Sequence, residues 1–226
     1  MGVVILQQFV WMFNIEKYKE LSDFISKNGG ITEIIAISKN HPKESIIEAI
    51  NGGVKIFGEN RVFEAKSKFK DLKKLYPEIE LHLTGPLQSN KVKEAIQLFD
   101  VFHTLDREKI AREFSKHKEA LKNKKIFIQV NTGREKSKSG IYPEHLGDFK
   151  LFCTNDMKLN IVGLMCIPPI NDDPKIHFEI LKDLGGKNKI TKLLKNLIIK
   201  NQIIRSLKSN SGCLEVLGEE LDYGQL

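Results

Sequence analysis

Lys39 is the residue whose type and position most directly suggest chemistry. It follows the apolar run IIAIS that begins at Ile34, so it stands at the carboxyl end of a predicted buried strand. Parallel α/β folds build their ligand sites at that edge. Partial burial disfavours the ammonium form of a lysine, and the neutral amine attacks aldehydes and ketones. One interpretation of Lys39 is therefore Schiff-base chemistry; the other is a lysine that only extends its ammonium from a strand end to water.

Three further polar segments end predicted strands. The string FGEN places Glu59 and Asn60 where they could contact a ligand held by Lys39, although Asn60 equally suits the cap of the next helix. The string HLTGPLQSNK (82–91) contains a Gly-Pro turn and suits a site lining or an ordinary strand-to-helix loop. The string NTGREKSKSGI (131–141) is rich in cationic side chains, which could attract a phosphate or could simply be solvated.

Motifs for several other chemistries are absent from the sequence. The six histidines are scattered without an HExxH pattern, and the three cysteines form no CxxC pair. The glycine-rich patterns GxGxxG and GxxxxGK[ST] are missing, as is the hydrolase pattern GxSxG. We therefore predict no metal site, no disulfide framework and no catalytic residue of the hydrolase or NTPase type.

The elements that position these residues alternate between short apolar runs and stretches of helical period, a pattern typical of a parallel sheet covered by helices. A TIM-type (β/α) barrel needs eight such units, and the sequence offers six clear strands, with the last two missing or replaced. Helices are predicted after Pro42, from Arg61, Asn90, Arg107 and Pro143, and from about Pro174. The predicted strands are Ile31–Lys39, Val54–Asn60, Leu81–Gly85, Asp100–Leu105, Lys125–Asn131 and Asn160–Ile167.

A chain of 226 residues with 41% hydrophobic content favours one domain with a sizeable core. The apolar run Val3 to Phe13 is shorter than the ~20 residues of a membrane span, and no lysine or arginine precedes it as in a signal peptide. We therefore expect a cytoplasmic protein. Residues 1–13 are interpreted as an N-terminal extension, 14–190 as the barrel domain and 191–226 as a divergent tail.

The net charge of +7 comes from one segment of the chain. The segment from Gly185 to Lys208 contains seven basic residues and no acidic one, and the rest of the chain has equal numbers of each sign. Two explanations of the tail stay open: an amphipathic basic helix with apolar positions 190, 193, 194, 197, 204 and 207, or an altered reading frame in an AT-rich gene.

Taken together, these strings resemble a known family. IIAISKNHP, FGENRVFEA, LHLTGPLQSNKVK, FHTLD, IQVNTGREKSKSGI and VGLMCIPP are similar, in order and spacing, to the pyridoxal phosphate homeostasis (YggS/PROSC) family over about Ile15 to Leu184. The resemblance implies a barrel like the N-terminal domain of alanine racemase that holds pyridoxal 5'-phosphate (PLP) as a Schiff base on Lys39. It also implies that Asn60 lies beside the cofactor and that Met165 lies near its ring.

The resemblance further implies a carrier or regulator of PLP supply without established turnover, with PLP-dependent apoenzymes as recipients. We expect a monomer with no nucleic-acid or membrane partner. The family's last two strands, which read like SMGMS and RIG[TS]xxFG and hold the phosphate, have no counterpart after Ile190. Two alternative functions are a minimal PLP-dependent amino-acid racemase and a cofactor-free module in which the basic segment 185–208 binds RNA or anionic lipid.

Overall fold

The computed structural model describes residues 13–27 and 33–188, together with the backbone of 192–193 and 197–199. Its single sheet is parallel throughout, and the first six strands pair in chain order. Two short strands flank them, with β7 paired to β6 and β8 paired to β1. The strands are β1 Ile34–Ile37, β2 Ile56–Glu59, β3 Glu80–Leu83, β4 Val101–Leu105, β5 Lys125–Val130, β6 Ile161–Cys166, β7 Lys192–Leu193 and β8 Leu197–Ile199.

Helices lie between these strands, as the alternating pattern predicts. The α-helices are α1 Ile15–Lys27, α2 Lys43–Asn51, α3 Val62–Leu75, α4 Val92–Leu98, α5 Glu108–Ser115, α6 Lys118–Leu121, α7 Leu146–Leu151 and α8 Pro174–Lys187. Short 3₁₀ turns, Ser89–Lys91 and Pro143–His145, precede α4 and α7, and a π-helical turn, Phe152–Asp156, follows α7. Within the described ranges, no helix has the length and apolar character that crossing a membrane requires.

Local sequence explains several helix boundaries. The Asp173 side chain caps α8 by accepting a hydrogen bond of 3.0 Å from the backbone N–H of Lys175. Pro174 then occupies the first turn, where its missing N–H costs no hydrogen bond. The chain turns away from the end of α2 at Gly53, whose φ of 96° lies in the left-handed region that glycine adopts without strain.

The main hydrophobic core lies between the sheet and its helices. Phe57 of β2 packs on Phe69 of α3 with ring centroids 5.6 Å apart, and Phe102 of β4 meets Phe114 of α5 at 5.1 Å. All four rings are at most 1% exposed, so each contributes about 1.5–3 kcal/mol of hydrophobic stabilisation. This layer holds the strands in place beneath the loops at their carboxyl ends.

The opposite face of the sheet carries separate apolar clusters and a polar chain. Ile35 and Ile37 form one apolar cluster. The polar residues, named here the interior chain, are Glu80, His82, His103 and Lys125. Lys125 Nζ lies 3.0 Å from Glu80 Oε1, Glu80 Oε1 lies 2.8 Å from His82 Nε2, and His82 Nδ1 lies 2.9 Å from His103 Nε2. Glu80 and Lys125 begin their strands, so the chain starts at the amino edge of the sheet.

The structure changes three details of the prediction. The described strands are shorter than the apolar runs, since β1 has four residues instead of nine. The helix α1, Ile15–Lys27, was not predicted. The amphipathic helix proposed for the tail is wrong at Leu193 and Leu197, because both lie in short strands that pair with the sheet edges. The other positions of that predicted helix, from residue 190 onward, lie outside the described residues.

Candidate functional site

Lys39 lies in a tight turn directly after β1. The Ser38 N–H continues the sheet by donating to the Gly58 carbonyl at 3.0 Å, and the His41 N–H donates back to the Ser38 carbonyl at 3.1 Å. Asn40, the third residue of this turn, has a φ of 61°, a conformation that asparagine tolerates better than most residues. Lys39 is the second turn residue and is half-buried. The structure therefore places it at the carboxyl edge of the sheet, as predicted.

Asn60 lies at the same edge on the neighbouring strand. The register pairs Ile37 with Gly58, so Lys39 and Asn60 each stand two residues beyond that pair. Asn60 Oδ1 accepts a hydrogen bond of 2.8 Å from Thr84 Oγ1 at the end of β3. The structure thus brings these two predicted site residues to adjacent strand ends.

The alternative role for Asn60 as a helix cap is wrong. The cap position of α3 is Arg61, and among the described residues no side-chain capping hydrogen bond is made there. The turn after β3 instead packs closely on Asn60, because a Cβ added to Gly85 would lie 2.2 Å from the Asn60 carbonyl oxygen. Only glycine permits this approach, which explains the glycine that follows the third strand.

Glu59 faces away from Asn60, toward α3. Its side chain is fully buried, and its Oε1 accepts from Ser38 Oγ at 2.7 Å and from Lys68 Nζ at 2.9 Å. Glu59 Oε2 has no hydrogen-bond partner among the described residues. Burial raises the pKa of the Glu59 carboxyl, while the charge and hydrogen bond of Lys68 act in the opposite direction. Glu59 therefore supports the strand ends from outside instead of lining the ligand side.

Met165 occupies a different part of the sheet from Lys39 and Asn60. It lies on β6, opposite Gln129 of β5, and is 1% exposed. Its neighbours in a buried apolar cluster are Val101 and Phe127. Four strands, β5 to β2, lie between β6 and β1 in the sheet order, so Met165 is not on a strand that neighbours Lys39 or Asn60.

The cation-rich loop after β5 is held by internal hydrogen bonds. The Asn131 side-chain amide donates to the carbonyls of Glu135 and Lys138 at 2.9 and 3.3 Å. Lys138 Nζ pairs with Glu135 at 2.7 Å and donates to the Pro168 carbonyl at 3.2 Å. Arg134 pairs with Glu144. These cations are therefore partly neutralised by local acids, and the loop is tied to the turn that follows β6.

Sequence analysis missed Lys68, which the structure places directly behind the Lys39 turn. Its Nζ donates to the Ser38 carbonyl at 2.7 Å and to Glu64 Oε1 at 2.6 Å, besides its contact with Glu59. A signal was available, because Lys68 lies between Ala65 and Leu72 on the helix face that is otherwise buried and apolar. A lysine at such a position needs a buried partner.

Comparison with known proteins identifies the fold. The family model described as the alanine racemase N-terminal domain matches residues 16–224. The alanine racemase of Corynebacterium glutamicum superposes with a TM-score of 0.58 at 12% identity, covering 80% of this chain and 53% of that chain. The protein thus has the TIM-type barrel fold of the alanine racemase N-terminal domain.

Closer relatives define the family within that fold. This chain is 34% identical to the pyridoxal phosphate homeostasis protein of Aquifex aeolicus over 176 residues, 75% of each chain. PipY of Synechococcus elongatus, solved without PLP, superposes with a TM-score of 0.71 at 29% identity, covering 80% of this chain and 87% of that chain. PipY with PLP bound gives a TM-score of 0.66 at 28% identity, covering 79% and 86%. The chain belongs to the pyridoxal phosphate homeostasis protein family.

Proposed function

We propose that this protein binds PLP through a reversible covalent linkage to Lys39 and serves PLP homeostasis without turnover of its own substrate. The observation that carries the proposal is the placement of a half-buried Lys39 in the turn after β1, beside Asn60 at the carboxyl edge of the sheet. Ligand sites of (β/α) barrels lie at that edge. The family relationship and the PLP-bound relative support the same cofactor.

The described residues suit the aldehyde end of PLP. When bound, PLP supplies an aldehyde that joins a neutral amine with loss of one water molecule, and water reverses the reaction. In our proposal Lys39 provides the amine, Asn60 lies beside the ring and Met165 contributes an apolar surface. The close packing of Gly85 on Asn60 holds that asparagine at the rim. The barrel domain is proposed to extend over 14–190, between the extension 1–13 and the tail 191–226.

A binding role suits this site better than racemase activity. A racemase needs a second acid or base on the face of the cofactor opposite the lysine. The curated relative that this chain matches over 75% of its length is named for PLP homeostasis, whereas the match to the racemase shares only 12% identity. A linkage that stays open to other amines can pass its aldehyde on, and the recipients we propose are PLP-dependent apoenzymes.

The test is reductive trapping. Wild-type protein incubated with PLP is expected to develop the absorbance band of a linked cofactor. Sodium borohydride is then expected to fix the label on Lys39, as located by peptide mass spectrometry. Lys39→Ala should lose the band and the label. Lys55→Ala is the matched control, because Lys55 is an exposed lysine that directly precedes β2, at the opposite, amino edge of the sheet.

Two results would overturn the proposal. One is a label spread over many lysines in the wild type, and the other is a wild-type band in Lys39→Ala. A parallel assay follows the optical rotation of L-alanine with the PLP-loaded protein, and we expect no change. Steady loss of rotation that depends on Lys39 would instead favour the racemase.

A further inference from the structure

Two side chains of α3 hold the two peptide groups on either side of Lys39. Lys68 Nζ donates to the Ser38 carbonyl at 2.7 Å, and that carbonyl belongs to the peptide group before Lys39. Glu64 Oε1 accepts from the Asn40 N–H at 2.5 Å, and that N–H belongs to the peptide group after Lys39. Because peptide groups are planar, the two hydrogen bonds together restrict both soft backbone dihedrals of Lys39.

A buried charge network supports these two contacts. Lys68 bonds to Glu64 at 2.6 Å, four residues earlier on α3, and to Glu59 at 2.9 Å, at the end of β2. The exposed fractions of the Lys68 and Glu59 side chains are 10% and 0%. Glu59 also accepts from Ser38 Oγ at 2.7 Å. The network therefore joins β1, β2 and α3 at the residue before Lys39.

Stability alone is a weak explanation for this network. Replacing a buried ion pair with apolar residues of similar size is often neutral or stabilising, because desolvation offsets the attraction between the charges. The network also secures a turn in which Asn40 has a φ of 61°. Directional hydrogen bonds to both peptide groups give a defined backbone at Lys39, which apolar packing does not provide.

We propose that Glu64 and Lys68, supported by Glu59, form a clamp that positions Lys39 for bond formation with the aldehyde of PLP. They are positioning residues, since they act through the Lys39 backbone. The inference rests on the proposed function. In the step that they assist, the Lys39 nitrogen forms a bond to the aldehyde carbon, the aldehyde oxygen leaves as water, and a carbon–nitrogen double bond remains.

The decisive variant is Glu64→Ala, because Glu64 is only partly buried and the Lys68–Glu59 pair remains in place. We expect amide hydrogen exchange at Asn40 to become about tenfold faster in the cofactor-free protein, because the N–H loses its acceptor. We also expect the rate constant for linkage to PLP to fall about tenfold, since misalignment of a reacting group is costly. Glu64→Gln retains an acceptor oxygen and should recover most of the rate.

Two further variants separate positioning from folding. Lys68→Met removes the donor to Ser38 and should slow linkage at least as much, with rates corrected for the folded fraction from thermal melts. Lys66→Met is the matched control, because Lys66 lies on the same helix and pairs with Glu94 at the surface. It should link PLP at the wild-type rate.

Folded Glu64→Ala and Lys68→Met proteins that link PLP at the wild-type rate would overturn the clamp, even if exchange at Asn40 became faster. If the proposed function itself is wrong, the wild-type protein will not link PLP at Lys39 at all. That result differs from a failure of the clamp, in which the wild type and both variants link PLP at the same rate. The use of pyridoxal in place of PLP provides a second check. Since the clamp acts on the lysine, the fold-loss in Glu64→Ala should be the same with both aldehydes.

Discussion

The clamp behind Lys39 and the interior chain are both built from charged and polar side chains, but they lie at opposite ends of the strands. The clamp joins residues at the carboxyl ends of β1 and β2 to α3. The interior chain begins at Glu80 and Lys125, the first residues of β3 and β5. In (β/α) barrels the carboxyl edge carries function and the amino edge carries stability. We therefore expect changes in the clamp to alter cofactor linkage and changes in the interior chain to alter stability alone.

The two clusters also differ in how they handle charge. In the clamp, the buried charges of Glu59 and Lys68 are paired directly. In the interior chain, burial lowers the pKa of His103 well below its ordinary value, and electrostatic interactions with His82 and Lys125 lower it further. His103 is therefore neutral at pH 7, with its ring stacked on Phe127 at 5.0 Å. Burial of a neutral, stacked ring costs little free energy, whereas a buried ion pair is stable only while both charged partners are present.

The largest effect is expected from Glu59→Ala. It leaves a cavity and removes the fully buried partner of the Lys68 ammonium, while Glu64 still pairs with Lys68 at 2.6 Å. We therefore expect a loss of about 3 kcal/mol, the lower end of the range for a broken buried pair. Urea denaturation of the cofactor-free protein measures the free energy of unfolding. The control Glu113→Ala breaks a surface pair with Lys116 and should cost less than about 1 kcal/mol. Equal losses in the two variants would show that the clamp is not a buried ion network in solution.

The second-largest loss of stability is expected from Gly85→Ala. Its Cβ would lie 2.2 Å from the Asn60 carbonyl oxygen, so backbone must move at the rim, at a cost of about 1–3 kcal/mol. PLP linkage should weaken as Asn60 shifts. Gly58→Ala is the matched control, because its Cβ would meet the flexible end of Ile37 at 2.4 Å. A smaller loss in Gly85→Ala than in Gly58→Ala would contradict the close packing described for Asn60.

His103→Phe tests the interior chain. Phenylalanine preserves the stacking on Phe127 but removes the nitrogen 2.9 Å from His82, so we expect a loss of about 1–2 kcal/mol. The rate and extent of PLP linkage, followed by absorbance, should stay at wild-type values. A slower linkage in a fully folded His103→Phe protein would mean that the interior chain takes part in the site.

The smallest effect concerns acid stability. The hydrogen bond from His82 lowers the pKa of Glu80 from 4.5 to about 2, with a further contribution from Lys125. Because the folded-state pKa is the lower one, the Glu80 carboxylate stabilises the fold above pH 4.5, and this stabilisation is lost as the pH falls toward 2. After allowance for solvent screening of a partly exposed group, we expect about 1 kcal/mol.

Glu80→Gln should therefore flatten the pH dependence of unfolding between pH 4.5 and 2, as measured by urea denaturation at stepped pH. Lys125→Met should flatten it less, because His82 is the main cause of the shift. An unchanged slope in Glu80→Gln would assign the acid sensitivity to other carboxyl groups. Linkage of PLP at pH 7 should be the same in all three proteins.

Much of the fold was predictable because its signals are local. The six main strands coincide with the six predicted apolar runs, although they are shorter, and helices begin where proline or a capping residue allows. The short strands β7 and β8 were not predictable in this way, because the basic, helix-like pattern around them favours another structure. Pairing with the exposed edges of β6 and β1 overrides that preference.

The candidate site divides along the same line. Sequence alone determined that Lys39 ends a buried strand and that Asn60 ends the next one, since both statements depend only on the residues beside them. Only the tertiary structure decided that Glu59 turns toward Lys68 and that Asn60 bonds to Thr84. Those contacts depend on the register between strands and on where α3 packs, and a shift of one residue in a strand would send each side chain to the opposite face of the sheet.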